Sequence, residues 1–160
     1  MAQNTSSPND KPLIVDLDNA RYDDQRKVME GIIDDNVCPF CRENLEKYHK
    51  QPILKQGSYW LVTKNQWPYE NTRLHLLAIL NEHAEKLSEV PAEAGAELLE
   101  IMQWAEEEYS IPGGGFAMRF GDTNYSAGSV AHLHAQLVVP DWEKPDFLPV
   151  RIKIGKAKDK

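Results

Sequence analysis

The chain has 160 residues, 41% of them hydrophobic, with 25 acidic against 18 basic side chains, a net charge of -7 and a pI near 5.2. That is enough for one core and about one domain. The acidic balance excludes a whole-surface attraction to nucleic acid, so any bound phosphate must be held by local geometry.

No apolar run approaches the roughly 20 residues of a membrane helix, and the N-terminus, MAQNTSSPND, is polar where a signal peptide would be apolar. No membrane partner and a cytoplasmic location are therefore expected. Residues 1–12, rich in Ser, Asn, Pro and Asp, read as a disordered tail ahead of one domain over 13–154, with 155–160 as a basic, solubilising tail. A loose helical spacing runs from Asp23 to Ile33 and leads into a cysteine loop, NVCPFC. ENLEKYHK after it reads as a short helix or turn. Strand candidates follow at 58–63 (SYWLVT) and 74–80 (LHLLAIL), joined by the turn-rich KNQWPYENT. The clearest helix is 91–109, with Pro91 in its first turn and Ala94, Leu98, Met102, Ala105 and Tyr109 in an apolar stripe; IPGGG ends it. A strand at 115–121, a polar loop, a strand of alternating residues from His132 to Val139 and a last short candidate at 150–154 complete an α+β domain with an antiparallel sheet, one long helix and shorter helices.

Two stretches carry chemistry. In HLHAQLVV the alternation puts His132, His134 and Gln136 on one strand face and Leu133, Ala135 and Leu137 on the other, with neighbours on a face roughly 6.6–7 Å apart. An edge strand with a wet face is the alternative reading. Cys38-Pro39-Phe40-Cys41 is a C-x-x-C pair, able to hold one tetrahedral ion if two further ligands come from elsewhere. A thioredoxin-like redox pair would need a preceding strand, which the pattern does not supply. Of the five histidines, His83 and His132 sit where they can reach the loop. His49 has finger-like spacing but polar neighbours that suggest a solvated helix face, and His75 lies inside an apolar strand, where packing is the ordinary role.

From Cys38 to Val139 the chain resembles the histidine-triad superfamily. HLHAQLVV is similar to the family's His-φ-His-φ-His followed by apolar residues, with Gln136 in the third place, as in the branch that holds galactose-1-phosphate uridylyltransferase and the dinucleoside polyphosphate phosphorylases. GSVAHLH resembles the small-residue loop before the triad and places Ser129 near a phosphate. HLLAILNEH resembles the strand that ends in a zinc-binding histidine, although Leu80 replaces a usual proline. NQWP is similar to Asp-x-x-Pro, with Asn65 where an acid would hold the ribose.

The resemblance implies a structural Zn2+ held by Cys38, Cys41, His83 and His132. It also implies a nucleotide substrate (a dinucleotide, a nucleoside phosphoramidate or a sugar nucleotide) and a homodimer. His134 becomes the expected nucleophile and Gln136 an amide donor to the phosphoryl oxygens, unable to give up a proton. The alternative function is a nucleotide-binding, zinc-stabilised interaction module with little turnover.

Overall fold

A computed structural model describes residues 14–157; the expected tail at 1–12 and the last three residues lie outside the described part. After a single 3-10 turn at Leu17–Asn19 come α1 (Asp23–Asp35), α2 (Arg42–Tyr48), β1 (Ile53–Gln56), β2 (Trp60–Lys64) and β3 (Thr72–Leu80). A second 3-10 turn at Leu87–Glu89 leads to the long α3 (Ala92–Glu108), followed by β4 (Gly115–Arg119), the one-turn α4 (Thr123–Ser126) and β5 (His134–Pro140). The five strands form one antiparallel sheet in the order β1-β2-β3-β5-β4, an α+β architecture.

The alternating pattern of β5 decides what lies on each side of the sheet. Leu133, Ala135 and Leu137 join Trp60, Leu76 and Ala78 beneath the apolar stripe of α3, where Ala94, Leu98, Ile101, Met102 and Ala105 are buried. Each fully buried aliphatic side chain of this layer contributes about 1.5–3 kcal/mol. Polar contacts fix the helix in register. The Trp60 indole donates to the Ala94 carbonyl at 2.7 Å, and the Glu97 carboxylate accepts the backbone N–H groups of Ser58, Tyr59 and Trp60 at 2.7 to 2.9 Å. The opposite face of the sheet, with Leu61, Leu77 and Ile79, is roofed by Phe40 and Leu45. Beside them Met29 and Ile32 of α1 pack on Val15 and Tyr48. Asn36 adopts a left-handed conformation, φ 53°, and ends α1, turning the chain into the cysteine loop.

Three expectations are corrected. β5 is an inner strand between β3 and β4, and its polar face is buried, with His134 and Gln136 only 7% and 5% exposed, so the wet-edge alternative fails. The strand begins at His134, because the Leu133 backbone turns aside: its N–H donates to the Ala84 carbonyl at 2.8 Å, and its own carbonyl takes the Leu80 N–H at 3.1 Å. The candidate strand at 150–154 does not form. There the Lys153 carbonyl accepts Nε and Nη2 of Arg119, at 3.0 and 2.8 Å, where a ladder partner would have been needed. β1 escaped the sequence pattern because it is an edge strand in which none of the four residues is buried, so no alternation of apolar and polar residues marks it. Within 155–160, Lys156 pairs with Asp16 and, at 3.2 Å, with Asp18. Among the described residues no helix is long and apolar enough to cross a membrane.

Candidate functional site

The end of β3, the cysteine loop and the turn before β5 converge on one point. Cys38 Sγ lies 3.3 Å from His132 Nδ1, Cys41 Sγ 3.5 Å from His83 Nδ1 and 3.9 Å from His132 Nδ1, and the two imidazole nitrogens stand 3.2 Å apart. All four ligand atoms lie within 4.8 Å of one another. A tetrahedral zinc with Zn–S near 2.3 Å and Zn–N near 2.0–2.1 Å needs ligand atoms roughly 3.3–3.8 Å apart, so the cluster has the required size. The proton positions agree. His132 Nε2 sits 2.7 Å from the Leu80 carbonyl, which can only accept, so the proton is on Nε2 and the Nδ1 lone pair faces the sulfurs. The outer nitrogen of His83 lies 3.5 Å from the Glu85 carboxylate, the kind of partner that orients a zinc-binding imidazole. Burial, and next the neighbouring Cys38, push the Cys41 thiol up to about 12, a cost that a dication between two thiolates removes.

Two residues beyond His132, His134 Nδ1–H donates to the His132 carbonyl at 2.7 Å, which fixes the tautomer and leaves Nε2 with its lone pair free. Burial holds this imidazole down to about 4, so it is neutral at pH 7. Phe40, between the two cysteines, packs edge-on against His134 with ring centroids 5.1 Å apart, which joins the cysteine–histidine cluster to the free imidazole through one aromatic contact. The imidazole opens on a cleft bounded by Val28, Met29 and Ile32 of α1, by Phe40, and by Ser129, with Gln136 on its floor.

Gln136 has a partner that fixes it. The backbone N–H of Tyr69 donates to His75 Nδ1 at 3.1 Å, so the His75 proton must sit on Nε2, which lies 3.1 Å from Gln136 Oε1. The amide oxygen is thereby spoken for and the amide N–H groups are left to the cleft. Asn65 Nδ2 is 3.2 and 3.5 Å from the two ring nitrogens of His75, distances that place it over the ring face. Its Oδ1 accepts the Trp67 N–H at 2.9 Å.

No family model matches the sequence, and no curated protein does. Solved structures do match the fold. A HIT family hydrolase from Clostridium thermocellum is 19% identical at TM-score 0.52, over 65% of this chain and 91% of that one. A histidine triad nucleotide-binding protein from Candida albicans is 18% identical at TM-score 0.52, over 72% and 82%. A hypothetical histidine triad nucleotide-binding protein from Sulfolobus tokodaii is 20% identical at TM-score 0.52, over 77% and 82%. The chain has the histidine-triad fold.

Within this histidine-triad fold the expected positions fall into two groups. Cys38, Cys41, His83 and His132 come together as one cluster, while His134, Gln136, Asn65 and Ser129 line the cleft beside it. His49 is corrected: it is buried, not solvated, because its Nε2 pairs with Thr63 Oγ1 at 2.8 Å and its ring faces the cleft rather than the cysteine–histidine cluster. Three residues were missed. His75 reads as a packed strand residue until the β3–β5 register, Leu77 opposite Gln136, puts it diagonal to Gln136 on the shared face. Phe40 was visible only as a spacer between cysteines. Arg21 sits in a stretch with no motif, and its place on the cleft depends on how the chain folds back along α1.

Proposed function

We propose that this chain is a nucleotidyl transferase or hydrolase that cleaves a phosphoanhydride, phosphoramidate or sugar-nucleotide bond through a covalent nucleotidyl-histidine on His134. The observation that carries this reading is the His134 imidazole itself, buried, held in one tautomer by the His132 carbonyl, and presenting a free Nε2 to a cleft. The Nε2 lone pair attacks the α-phosphorus, the bond from phosphorus to the leaving group breaks, and its electron pair departs with that group. In the second step water or another acceptor attacks phosphorus, the N–P bond breaks, and its pair returns to Nε2. Gln136 donates amide hydrogens to the phosphoryl oxygens, a kind of contact whose loss costs about 10²–10³ in rate. Ser129 contacts a phosphate oxygen, and Asn65, through the second lone pair of its Oδ1, a ribose hydroxyl.

Cys38, Cys41, His83 and His132 would hold a structural Zn2+, whose four protein ligands leave no open position for substrate. Bound there, the ion supplies charge for two thiolates and ties the cysteine loop to the turn before β5. The names of the similar proteins, one a hydrolase and two nucleotide-binding, agree with this reading. The reading includes a homodimer. β4 is an edge strand, and Phe116 on it and Leu99 on α3 stay 57% and 55% exposed, which suits a second copy; light scattering at micromolar concentration reads the mass.

Intact-mass spectrometry after mixing with dinucleoside polyphosphates, sugar nucleotides and nucleoside phosphoramidates tests the chemistry. A nucleotidyl adduct supports it. Reversible nucleotide binding with no adduct and no turnover would favour the interaction module.

A further inference from the structure

Gln25 is a buried amide with only one end occupied. It is the third residue of α1, 5% exposed, and its Oε1 turns back to the start of the helix, where it accepts the Arg21 backbone N–H at 2.8 Å. A backbone N–H cannot reverse its role, so the assignment of oxygen and nitrogen in this amide is fixed by the main chain. The side chain lines the His134 cleft, and its Nε2 has no hydrogen-bond partner among the described residues. A buried N–H2 left unpaired is destabilising, so an acceptor brought into the cleft completes it. Gln66 repeats the arrangement from another element. Its Oε1 accepts the Lys50 N–H at 2.8 Å, it lines the same cleft, and its Nε2 likewise has no partner among the described residues.

Their position relates them to the far end of a nucleotide. Gln25, Val28, Met29 and Ile32 fall at i, i+3, i+4 and i+7 of α1 and make one stripe along the cleft, polar only at its first residue. The start of that helix is docked on the loop that carries Asn65: Trp67 Nε1 donates to Asp24 Oδ2 at 2.9 Å, and Arg21 Nη2 to the Trp67 carbonyl at 2.6 Å. Gln66 follows Asn65 directly and is tied to Lys50, the neighbour of the cleft-lining His49. A nucleotide with its phosphorus at His134 and its ribose at Asn65 has only its base left to reach the two amides, with Val28, Met29 and Ile32 against the ring.

With both oxygens turned to backbone N–H groups, the two amides present donors to a base. An exocyclic carbonyl, as on hypoxanthine, guanine or uracil, accepts from them. The exocyclic amine of adenine or cytosine sets N–H against N–H and leaves the buried donors unpaired. Resting on the nucleotide reading above, we propose that Gln25, seconded by Gln66, selects the base, so that the nucleotides this site takes carry an exocyclic carbonyl, on a 6-oxopurine or uracil, where adenine and cytosine carry an amine.

The experiment measures Kd by calorimetry for the monophosphates of inosine and adenosine and of uridine and cytidine, two pairs in which a carbonyl replaces an amine at one ring position. Wild type should bind the inosine and uridine nucleotides about tenfold or more tighter than their partners. Gln25→Met, which keeps the bulk and removes the N–H2, should bring both ratios close to one, and Gln25→Glu, which turns an acceptor to the base, should reverse them. Gln66→Met should lower the ratios by a smaller factor. Because ratios are read, a general loss of folded protein does not imitate the result. Equal binding within each pair or a preference for the amines in wild type, or ratios unchanged in Gln25→Met and Gln25→Glu, overturns the base selection and leaves the His134 chemistry intact, which adduct formation reads separately. If none of the four nucleotides binds and no substrate gives an adduct, the proposed function falls and the base selection with it.

Discussion

His75 Nε2 donates to Gln136 Oε1 across the β3–β5 ladder at 3.1 Å, and the direction of that bond is set by a backbone N–H, that of Tyr69, on the other side of the ring. Backbone N–H groups cannot reverse their role, so the imidazole tautomer, and through it the orientation of the Gln136 amide, follow from the main chain. His75 is thus a positioning residue for Gln136.

Replacing His75 with Leu leaves a buried amide oxygen unpaired, at a cost of about 1–3 kcal/mol, and lets the amide rotate. The expected result is a lower urea midpoint together with a fall of about tenfold in kcat, with KM little changed. His75→Gln, whose amide N–H can donate to the same oxygen, should recover part of both. A kcat that is unchanged in His75→Leu would mean that Gln136 needs no such support.

The same histidine makes stability depend on pH. Burial holds His75 down to about 4 in the folded chain, against an ordinary value near 6.5 in the unfolded one. Above pH 6.5 neither state binds the proton, and stability is flat with respect to this group. Between pH 6.5 and 4 the unfolded state takes the proton first, so stability falls as pH falls, by about 3 kcal/mol at most for this residue, and levels off below. Urea midpoints at pH 7, 6, 5 and 4.5 read the slope. His49, also lowered by burial, adds in the same direction, and His75→Gln should flatten the curve without abolishing it.

The cysteine–histidine cluster predicts one zinc per chain in protein purified without added metal, measured by elemental analysis. Cys38→Ser or His83→Ala should lower both zinc content and melting temperature, because metal affinity at such a site is folding free energy. Full zinc in a His83→Ala, His132→Ala double variant would show that other residues hold it.

Much of this was legible in the sequence, and the reasons differ from residue to residue. The α3 stripe and the β5 alternation are local periodicities, and the structure buries Ala94, Leu98, Met102 and Ala105 on one side and pairs His134 with Gln136 on the other. The C-x-x-C spacing was equally local, and Cys41 meets His83 and His132 across sequence separations of 42 and 91 positions. His75, Phe40 and Arg21 were not legible, because their roles come from register, from roofing and from the path of α1, none of which leaves a pattern in neighbouring residues. His49 misled for the same reason: its polar neighbours point outward while its ring turns in to Thr63.

On the proposed mechanism, Gln136 decides how the second step divides between acceptors. Because the Gln136 amide cannot shuttle a proton, attack by water on the adduct should be slow, and inorganic phosphate or a sugar phosphate should discharge it faster. Gln136→His should raise the share of free nucleoside monophosphate several-fold relative to transferred product. Chromatography of the products with and without acceptor measures that share, and a wild type that hydrolyses rapidly and ignores every acceptor would leave a plain hydrolase.

The central claim, a covalent intermediate on the free Nε2 of His134 in the cleft, is tested most directly by rapid-quench single turnover with peptide mapping of the adduct. The account predicts a nucleotidyl group on the peptide carrying His134, formed and discharged at rates fast enough to account for kcat, and absent together with turnover in His134→Ala. Turnover at the wild-type rate in His134→Ala, or an adduct confined to another residue, would contradict it.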